Sequence, residues 1–301
     1  MCDLKLEADE LLNEAIMSET PVIIVEGIDD IQVYEQLAEC AGKHTEVYAS
    51  ENIKGMADGC KGVIDSINVI RDTTDEIDIE KYILGIIDAD TRHYLDKVPN
   101  DNAILMLKWY SLESHFVTEE ATSYVIKHLT RASGRLVTPA LVTSIHNTIK
   151  EQLFELYLIS IEALRNACEK DYNAVLGYSM NLMEIKRRQL MQFKPEKEDE
   201  LNSFALERGI EKNWENLLKV CKGKWLFIEY CYQLKRYVQS LPSLCESSVI
   251  NQCQFCLTEA FEKCLYRVKA NFDENQIKEL ILSNVSNASF GYVQHRIESM
   301  I

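Results

Sequence analysis

The chain has 301 residues, 47% of them apolar, and carries a net charge of −16. This length and apolar content are enough for one large domain or two modest ones. No apolar run reaches the roughly 18 residues of a membrane-spanning helix, so we expect none. The first twenty residues are acidic and lack the basic and apolar regions of a secretory signal. The scattered cysteines fit a reducing compartment, and we therefore expect a cytoplasmic protein.

The negative charge is concentrated in the first third of the chain. Residues 1–117 contain 25 acidic and 9 basic side chains, whereas residues 118–301 contain 23 of each. Such a surface would repel a phosphate backbone unless cations were bound to it. The acidic region is therefore either a solvated surface or the surroundings of a metal site.

Strands and helices alternate along this acidic region. Apolar periodicity predicts helices over 4–16, 28–40 and 63–70, and strands over 21–26, 45–49, 81–87 and 103–107. Alternation of this kind implies right-handed βαβ units and a parallel sheet flanked by helices.

The pattern changes after about residue 118, where helical periodicity dominates. We expect an all-helical region broken near Pro139, Pro195 and Pro242, with the charged stretch 194–202 as a loop between long helices. The sequence thus predicts an α/β domain over 1–117 with an N-terminal helix, and a helical domain over 118–301.

Carboxylates follow two of the predicted strands. Glu26 ends the first strand, Asp30 lies four residues later at a helix start, and Asp88 and Asp90 follow the third strand. Ligands of open α/β sheets bind outside the carboxyl ends of the strands. Carboxylates that converge there repel one another unless a hard cation neutralises them, and Mg²⁺ prefers such oxygen ligands.

A carboxylate site of this kind can transfer phosphoryl groups without a nucleophilic side chain. The metal ion polarises the phosphoryl oxygen and lowers the pKa of a bound water. Glu26, placed apart from the aspartate pair, could bind metal or move protons. Alternatively, Asp88 and Asp90 simply begin a turn and Glu26 is an ordinary strand-end carboxylate. The occurrence of both motifs, in this order and on successive strand ends, favours the metal site.

The two acidic motifs also resemble a known family signature. Val25-Glu26-Gly27-x-x-Asp30 and Ile87-Asp88-Ala-Asp90 resemble the Toprim motifs shared by topoisomerases, DnaG-type primases and OLD-family nucleases, over about residues 20–117. The resemblance implies a Toprim α/β domain in which Glu26 is the catalytic glutamate. It implies Asp88 and Asp90 as Mg²⁺ ligands, with Mn²⁺ as a substitute, and Asp30 as a ligand of a second metal ion.

A further segment resembles one branch of these proteins. Residues 108–114, Lys-Trp-Tyr-Ser-Leu-Glu-Ser, resemble the YSxE-type element of the DUF4435 branch, which implies Glu113 as an additional metal ligand. An exposed glutamate at a helix start would fit the same sequence equally well.

The chain length and helical second half resemble the AriB-type Toprim effectors of PARIS anti-phage systems. That resemblance implies an endoribonuclease held inactive by a partner ABC-type ATPase. A phage-encoded trigger would release it as a homodimer that cleaves host tRNA and halts translation. The helical half would then serve dimerisation, substrate binding or partner binding. Two alternatives stay open: an OLD-like DNA nuclease or nickase, and a Toprim interaction module without cleavage activity.

Several basic residues are weaker candidates for phosphate contacts. Lys54 and Lys61 lie in a glycine-rich turn, and Lys186, Arg187 and Arg188 form a run in the helical half. They could contact a nucleic-acid backbone while the acidic half holds the metal. Solvated helix faces balanced by nearby glutamates are the simpler interpretation of the second group.

The cysteines and histidines give only weak signals for a further metal site. Cys253 and Cys256 form one CxxC pair, flanked by Cys245 and Cys264, but there is no second pair at zinc-finger spacing. We therefore expect free cysteines packed on helices rather than a zinc site. His93 follows Asp90 closely, and we expect it to be a solvent-facing loop residue.

Overall fold

Four short parallel strands form the sheet of the computed structural model, which describes residues 5–74, 76–285 and 288–301. They are β1 (Val22–Val25), β2 (Glu46–Ala49), β3 (Ile83–Ile87) and β4 (Ile104–Met106). The strand order is β2-β1-β3-β4, so β1 and β3 are hydrogen-bonded neighbours at the centre of the sheet. The predicted parallel sheet is confirmed, and every predicted strand corresponds to an observed one.

Helices cover both faces of this sheet. They are α1 (Ala8–Ser18), α2 (Ile28–Cys40), α3 (Gly59–Thr73) and α12 (Gly291–Glu298). Leu11 of α1 and Ile67 of α3 share one buried core cluster with Ile24 of β1. Neighbouring side chains of a strand point to opposite faces. Ile23 therefore faces the other side, where α2 contacts β1 and β2 and α12 packs on α2.

Close packing between α3 and the sheet depends on Gly85 in β3. A Cβ atom at this position would lie 2.8 Å from Cγ1 of Val63 and 3.1 Å from Cγ1 of Ile67. Those distances are too short for ordinary van der Waals contact. The missing side chain thus lets α3 approach the central strands closely.

The chain divides into two compact units at a place that differs from the predicted boundary at 117/118. One unit holds the described residues of Met1–Leu112 together with Ala288–Ile301, and the other spans Glu113–Asn287. The end of the chain returns to the sheet because Val293 and Ile297 of α12 are fully buried. Arg296 also donates to the carbonyl oxygens of Glu80 (2.7 Å) and Asn102 (3.3 Å). The helix α12 therefore belongs to the first unit, whereas the sequence assigned residues 118–301 to one helical domain.

The second unit is built from helices, as expected. They are α4 (Glu119–Leu129), α5 (Pro139–Leu153), α6 (Tyr157–Cys168), α7 (Leu182–Arg187), α8 (Pro195–Glu207), α9 (Trp214–Val220), α10 (Gly223–Glu246) and α11 (Glu274–Leu282). None of the helices within the described ranges combines the length and apolar character needed to cross a membrane.

The three prolines act differently from one another. Pro139 and Pro195 occupy the first positions of α5 and α8, where proline needs no amide partner. The stretch predicted as a loop over 194–202 is therefore mostly helix. Pro242 lies inside α10, which continues to Glu246, so the predicted break at this proline is wrong.

Candidate functional site

Glu26 and Asp88 meet at the carboxyl edge of the sheet. Each follows the last residue of its strand, and β1 and β3 are direct neighbours. The backbone N–H of Asp88 donates to Oε1 of Glu26 over 2.9 Å. The Asp88 carboxylate in turn accepts a hydrogen bond from the backbone N–H of Leu112 at 3.0 Å. The strand order therefore brings the carboxylate of Glu26 to the backbone of Asp88, a residue 62 positions later in the sequence.

The Glu26 side chain is partly buried, and the pKa of its carboxyl group is raised above the ordinary value of 4.5. Burial is the main cause because it disfavours the charged form, and the nearby charge of Asp90 adds to it. The N–H of Asp88 and the guanidinium of Arg92 act in the opposite direction without cancelling the shift. The surroundings of Glu26 thus favour its protonated form.

The start of α3 forms one wall around Glu26. The backbone N–H of Gly59 donates to the carbonyl oxygen of Glu26 over 2.9 Å, and the N–H of Cys60 lies near its carboxylate. Gly59 has a φ of +74°, and a Cβ atom there would lie 3.9 Å from Oε2 of Glu26. A glycine permits this backbone conformation at the site, since it carries no Cβ atom.

Asp90 is held by the backbone and by Arg92. Its φ of 46° lies in the left-handed region, which aspartate tolerates better than most residues. Its N–H donates to the carbonyl oxygen of Tyr110 (2.8 Å), and its Oδ2 accepts from Nη1 of Arg92 (2.7 Å). Arg92 also contacts Cys60. Burial opposes the charge on Arg92, but the hydrogen bond to Asp90 and nearby acidic groups leave its pKa raised.

Asp30 lies on the same side of the sheet edge. It occupies the first turn of α2, and a Cβ atom on Gly27 would lie 3.9 Å from its Oδ2. Tyr34, one turn further along α2, is fully enclosed. Burial raises its pKa well above 10, and the charges of Asp88 and Asp30 raise it further. Both aspartates therefore lie within electrostatic reach of one protonated tyrosine.

The helix α12 supplies a second tyrosine, which is partly buried. The hydroxyl of Tyr292 in α12 accepts a hydrogen bond from the backbone N–H of Lys108 (2.9 Å). Burial raises its pKa, and the charge of Asp88 contributes to the shift. Sequence reasoning did not find Tyr292, Tyr34 or Arg92, because none of them belongs to a motif. Arg92 alone had a signal, as a cation two positions after Asp90.

Glu113 does not belong to the same unit as the other carboxylates. It lies in the short 3₁₀ helix Leu112–Phe116 and is partly buried within the second unit. Its proposed role as a metal ligand stays a prediction.

The basic candidates are in different surroundings. Lys54 is exposed and forms an ion pair with Glu7. Lys61 is exposed in the first turn of α3, two positions after Gly59. His93 is exposed in the 3₁₀ helix Arg92–Tyr94, as expected.

Two members of the basic run in the second unit have acidic partners. Lys186 pairs with Glu229, and Arg188 pairs with Glu184 over 2.5 Å. Arg187 is exposed at the end of α7. These pairs fit the simpler interpretation, a helix face whose charges are balanced by glutamates.

Four buried cysteines of the second unit form a cluster that the sequence did not lead us to expect. The Sγ atoms of Cys245, Cys253, Cys256 and Cys264 all lie within 4.8 Å of one another. Cys245 alone lies in a long helix, so the expectation of helix-packed cysteines is wrong. The CxxC pair of Cys253 and Cys256 was the available signal in the sequence. The other two members, Cys245 and Cys264, do not form a second CxxC pair, so the sequence did not indicate a four-cysteine cluster.

The carboxylates at the sheet edge are spaced more widely than these thiols. Among the residues that the structure describes, Glu26, Asp88 and Asp90 do not bring three ligand atoms within that same distance. A closed cage is not needed for Mg²⁺, which keeps several waters and binds through one or two carboxylates plus substrate phosphates. The donor chemistry therefore fits this ion.

Comparison with known proteins identifies no family for this chain. No protein-family model matches it, and no curated protein matches it in sequence.

Proposed function

We propose that this chain is a Mg²⁺-dependent nuclease of the Toprim type, with its reaction centre at the carboxyl edge of the sheet. The hydrogen bond from the N–H of Asp88 to Glu26, with Asp90 close enough to raise the pKa of Glu26, is the observation that carries the proposal. These carboxylates stand at the ends of two adjacent parallel strands, which is where ligands of open α/β sheets bind.

The Mg²⁺ ion would be held by Asp88 and Asp90, with Glu26 and Asp30 available as further ligands. When bound, it supplies charge that polarises a phosphoryl oxygen and acidifies a coordinated water. Acidic groups surround the partly buried Arg92. This arrangement supports the assignment, since a hard cation relieves mutual repulsion among carboxylates.

The side chains of the chain have separate tasks in this proposal. Glu26, with its raised pKa, accepts the proton of the attacking water, because a base with a pKa nearer neutrality is more effective. Arg92 fixes the orientation of Asp90 and balances part of the negative charge. Tyr34 stays protonated beside the aspartates and keeps the pocket wall neutral.

The substrate proposed is RNA, and specifically tRNA, on the strength of the resemblance to the PARIS effectors. The same resemblance supports an inhibitory complex with an ABC-type ATPase, release by a phage trigger, and activity as a homodimer. Phosphate contacts by Lys61 would suit a substrate at this edge, because Lys61 is exposed in the first turn of the helix that flanks Glu26.

The test is a cleavage assay with three substrates: total tRNA, plasmid DNA and linear duplex DNA, each with Mg²⁺ or with EDTA. Glu26→Gln is the test variant, and Glu35→Gln, an exposed glutamate on α2, is the matched control. We expect tRNA cleavage that EDTA and Glu26→Gln abolish and that Glu35→Gln retains. Cleavage of DNA alone would contradict the RNA assignment.

Undiminished cleavage by Glu26→Gln would contradict the site itself. If the free protein is inactive on every substrate, the assay is repeated with the ATPase and trigger present. Continued inactivity under those conditions would count against the nuclease proposal.

A further inference from the structure

The four-cysteine cluster of the second unit is not used by the proposed reaction. Cys245 lies in the last turn of α10, Cys253 and Cys256 follow in the connection to α11, and Cys264 lies further along it. All four side chains are buried, with exposed fractions of 3% or less. Four thiols from separate points of the chain thus converge on one enclosed point.

The spacing of the sulfur atoms fits a single tetrahedral ion. Zn–S bonds of about 2.3 Å place the sulfur atoms of a tetrahedral site about 3.8 Å apart. The Sγ atoms of Cys253 and Cys264 are 4.0 Å apart, and all the distances among the four are at most 4.8 Å. Only a small contraction would complete the coordination. An iron–sulfur cluster contains several ions between its thiolates and requires a wider space.

Backbone amides point at the sulfur atoms. The N–H of Cys253 donates to Sγ of Cys245 (3.3 Å), and the N–H of Leu265 donates to Sγ of Cys253 (3.5 Å). The N–H groups of Phe255 and Cys256 are also directed at Sγ of Cys253. Such hydrogen bonds stabilise thiolates and orient metal ligands.

The chain around the cluster has little regular structure to hold it. Residues 247–273 connect α10 to α11, and their helical content is confined to the 3₁₀ turns Cys256–Thr258 and Phe261–Lys263. Connections longer than about 12–15 residues without their own helices or strands are uncommon in compact domains. A metal ion that joins four points of the connection would offset the entropy of closing it.

The connection is fixed to the neighbouring helices beyond the cluster. The hydroxyl of Tyr266, which is fully buried, donates to the carbonyl oxygen of Leu136 at 3.0 Å. The N–H of Lys269 donates to the carbonyl oxygen of Leu129, the last residue of α4, at 2.9 Å. The long segment is thus held to the end of α4 and to the turn after it, close in sequence to Cys264.

We propose that Cys245, Cys253, Cys256 and Cys264 bind one zinc ion in a closed, four-thiolate structural site that fixes residues 247–273 within the helical unit. All four ligand positions come from the chain, which leaves no open position for a substrate or water. The proposal does not rest on the nuclease assignment, since no residue of the sheet edge takes part in it.

The test measures metal in the full-length protein, purified without metal-affinity resin or chelator. Elemental analysis should find about one zinc per chain, and X-ray absorption at the zinc edge should find four sulfur neighbours at about 2.3 Å. Cys253→Ala should lose most of the zinc and make residues 247–273 sensitive to limited proteolysis. Cys231→Ala, which removes an equally buried thiol from α10 outside the cluster, should keep the full zinc content.

A metal-free wild-type protein, iron in place of zinc, or fewer than four sulfur neighbours would overturn the proposal. If Cys253→Ala fails to fold, the X-ray absorption spectrum of the wild-type protein still shows whether four sulfur atoms bind zinc. Full zinc content in a folded Cys253→Ala variant would also overturn it.

Discussion

The acidic sheet edge and the cysteine cluster are both candidate metal sites, and they differ in donor atom, exposure and supporting structure. Glu26, Asp88 and Asp90 offer oxygen atoms at strand ends and are only partly buried. The cysteines offer sulfur atoms, are almost completely enclosed, and lie mostly in an irregular connection. Hard cations that retain water suit the first arrangement, and zinc in a closed site suits the second.

The comparison separates a site that would perform chemistry from one that would hold the fold. The sheet already positions the carboxylates, so removal of Mg²⁺ should stop the reaction and leave the first unit folded. The connection over 247–273 has little other support, so removal of zinc should loosen the second unit.

Replacement of Asp88 should affect chemistry without affecting zinc. A bound metal ion supplies several kcal/mol of transition-state stabilisation, and each 1.36 kcal/mol is tenfold in rate. We therefore expect Asp88→Asn to lower the cleavage rate by about 100-fold or more. Asp29→Asn, an exposed acid on α2, is the control and should cleave at the wild-type rate. Loss of zinc from the Asp88→Asn variant would show that the sheet-edge site and the cysteine cluster are not independent.

Packing rather than metal should carry the stability of the first unit. Ile67 is fully buried between α3 and the sheet, and replacing such a residue with alanine costs about 2–5 kcal/mol. In the Ile67→Ala variant, hydrogen exchange at the amides of β1 and β3 should accelerate by the factor that corresponds to this loss of free energy of unfolding. The zinc content should stay at the wild-type level. Unchanged exchange would mean that this core does not support the sheet.

The charge on Glu26 should destabilise the metal-free protein. Its raised pKa means that folding favours the protonated form, a contribution that is complete below pH 4.5 and is lost as the pH rises through the raised value. Without metal, Glu26→Gln should therefore melt a few degrees above the wild type at pH 8. The gap should close toward pH 4. Mg²⁺ should also narrow it, because the bound ion neutralises the charge of Glu26, which the variant lacks.

A lower melting temperature for Glu26→Gln at pH 8 would show that the carboxylate is already neutralised in the metal-free protein. That result would remove the main physical argument for a cation at this edge.

The smallest expected effects concern Lys54 and Lys61. Lys61 lies in the first turn of α3 beside Glu26, whereas Lys54 is already paired with Glu7. We expect Lys61→Ala to raise KM for the nucleic acid several-fold and to weaken its salt dependence. Lys54→Ala should leave KM unchanged. Equal effects of the two substitutions would argue against a specific contact by Lys61.

Much of the first unit could be predicted from the sequence, because local patterns determine it. The helix over 28–40 has the predicted bounds, and the strand-end carboxylates follow from apolar runs that stop at Glu26 and Asp88. Arg92 and Tyr292 could not be found in this way. Their place at the site depends on tertiary packing, in the second case of a helix about 180 residues after the sheet.

The second unit shows where sequence patterns were misleading. Pro195 looked like a loop signal, although proline is equally suited to the first position of a helix. The helical region was expected to break near Pro242, but α10 continues through this residue to Glu246. Its neighbours Val238 and Leu241 are fully buried. The cysteine cluster required knowledge of how the connection folds, which a single CxxC pair does not supply.

The most direct test of the central claim is Mn²⁺ binding at the sheet edge, followed by electron paramagnetic resonance and by competition with Mg²⁺. It needs neither substrate nor partner, so it separates metal binding from activation. We predict saturable Mn²⁺ binding by the wild-type protein that Mg²⁺ displaces and that the double variant Asp88→Asn/Asp90→Asn loses. Equal binding by the double variant, or no binding by the wild-type protein, would contradict the account.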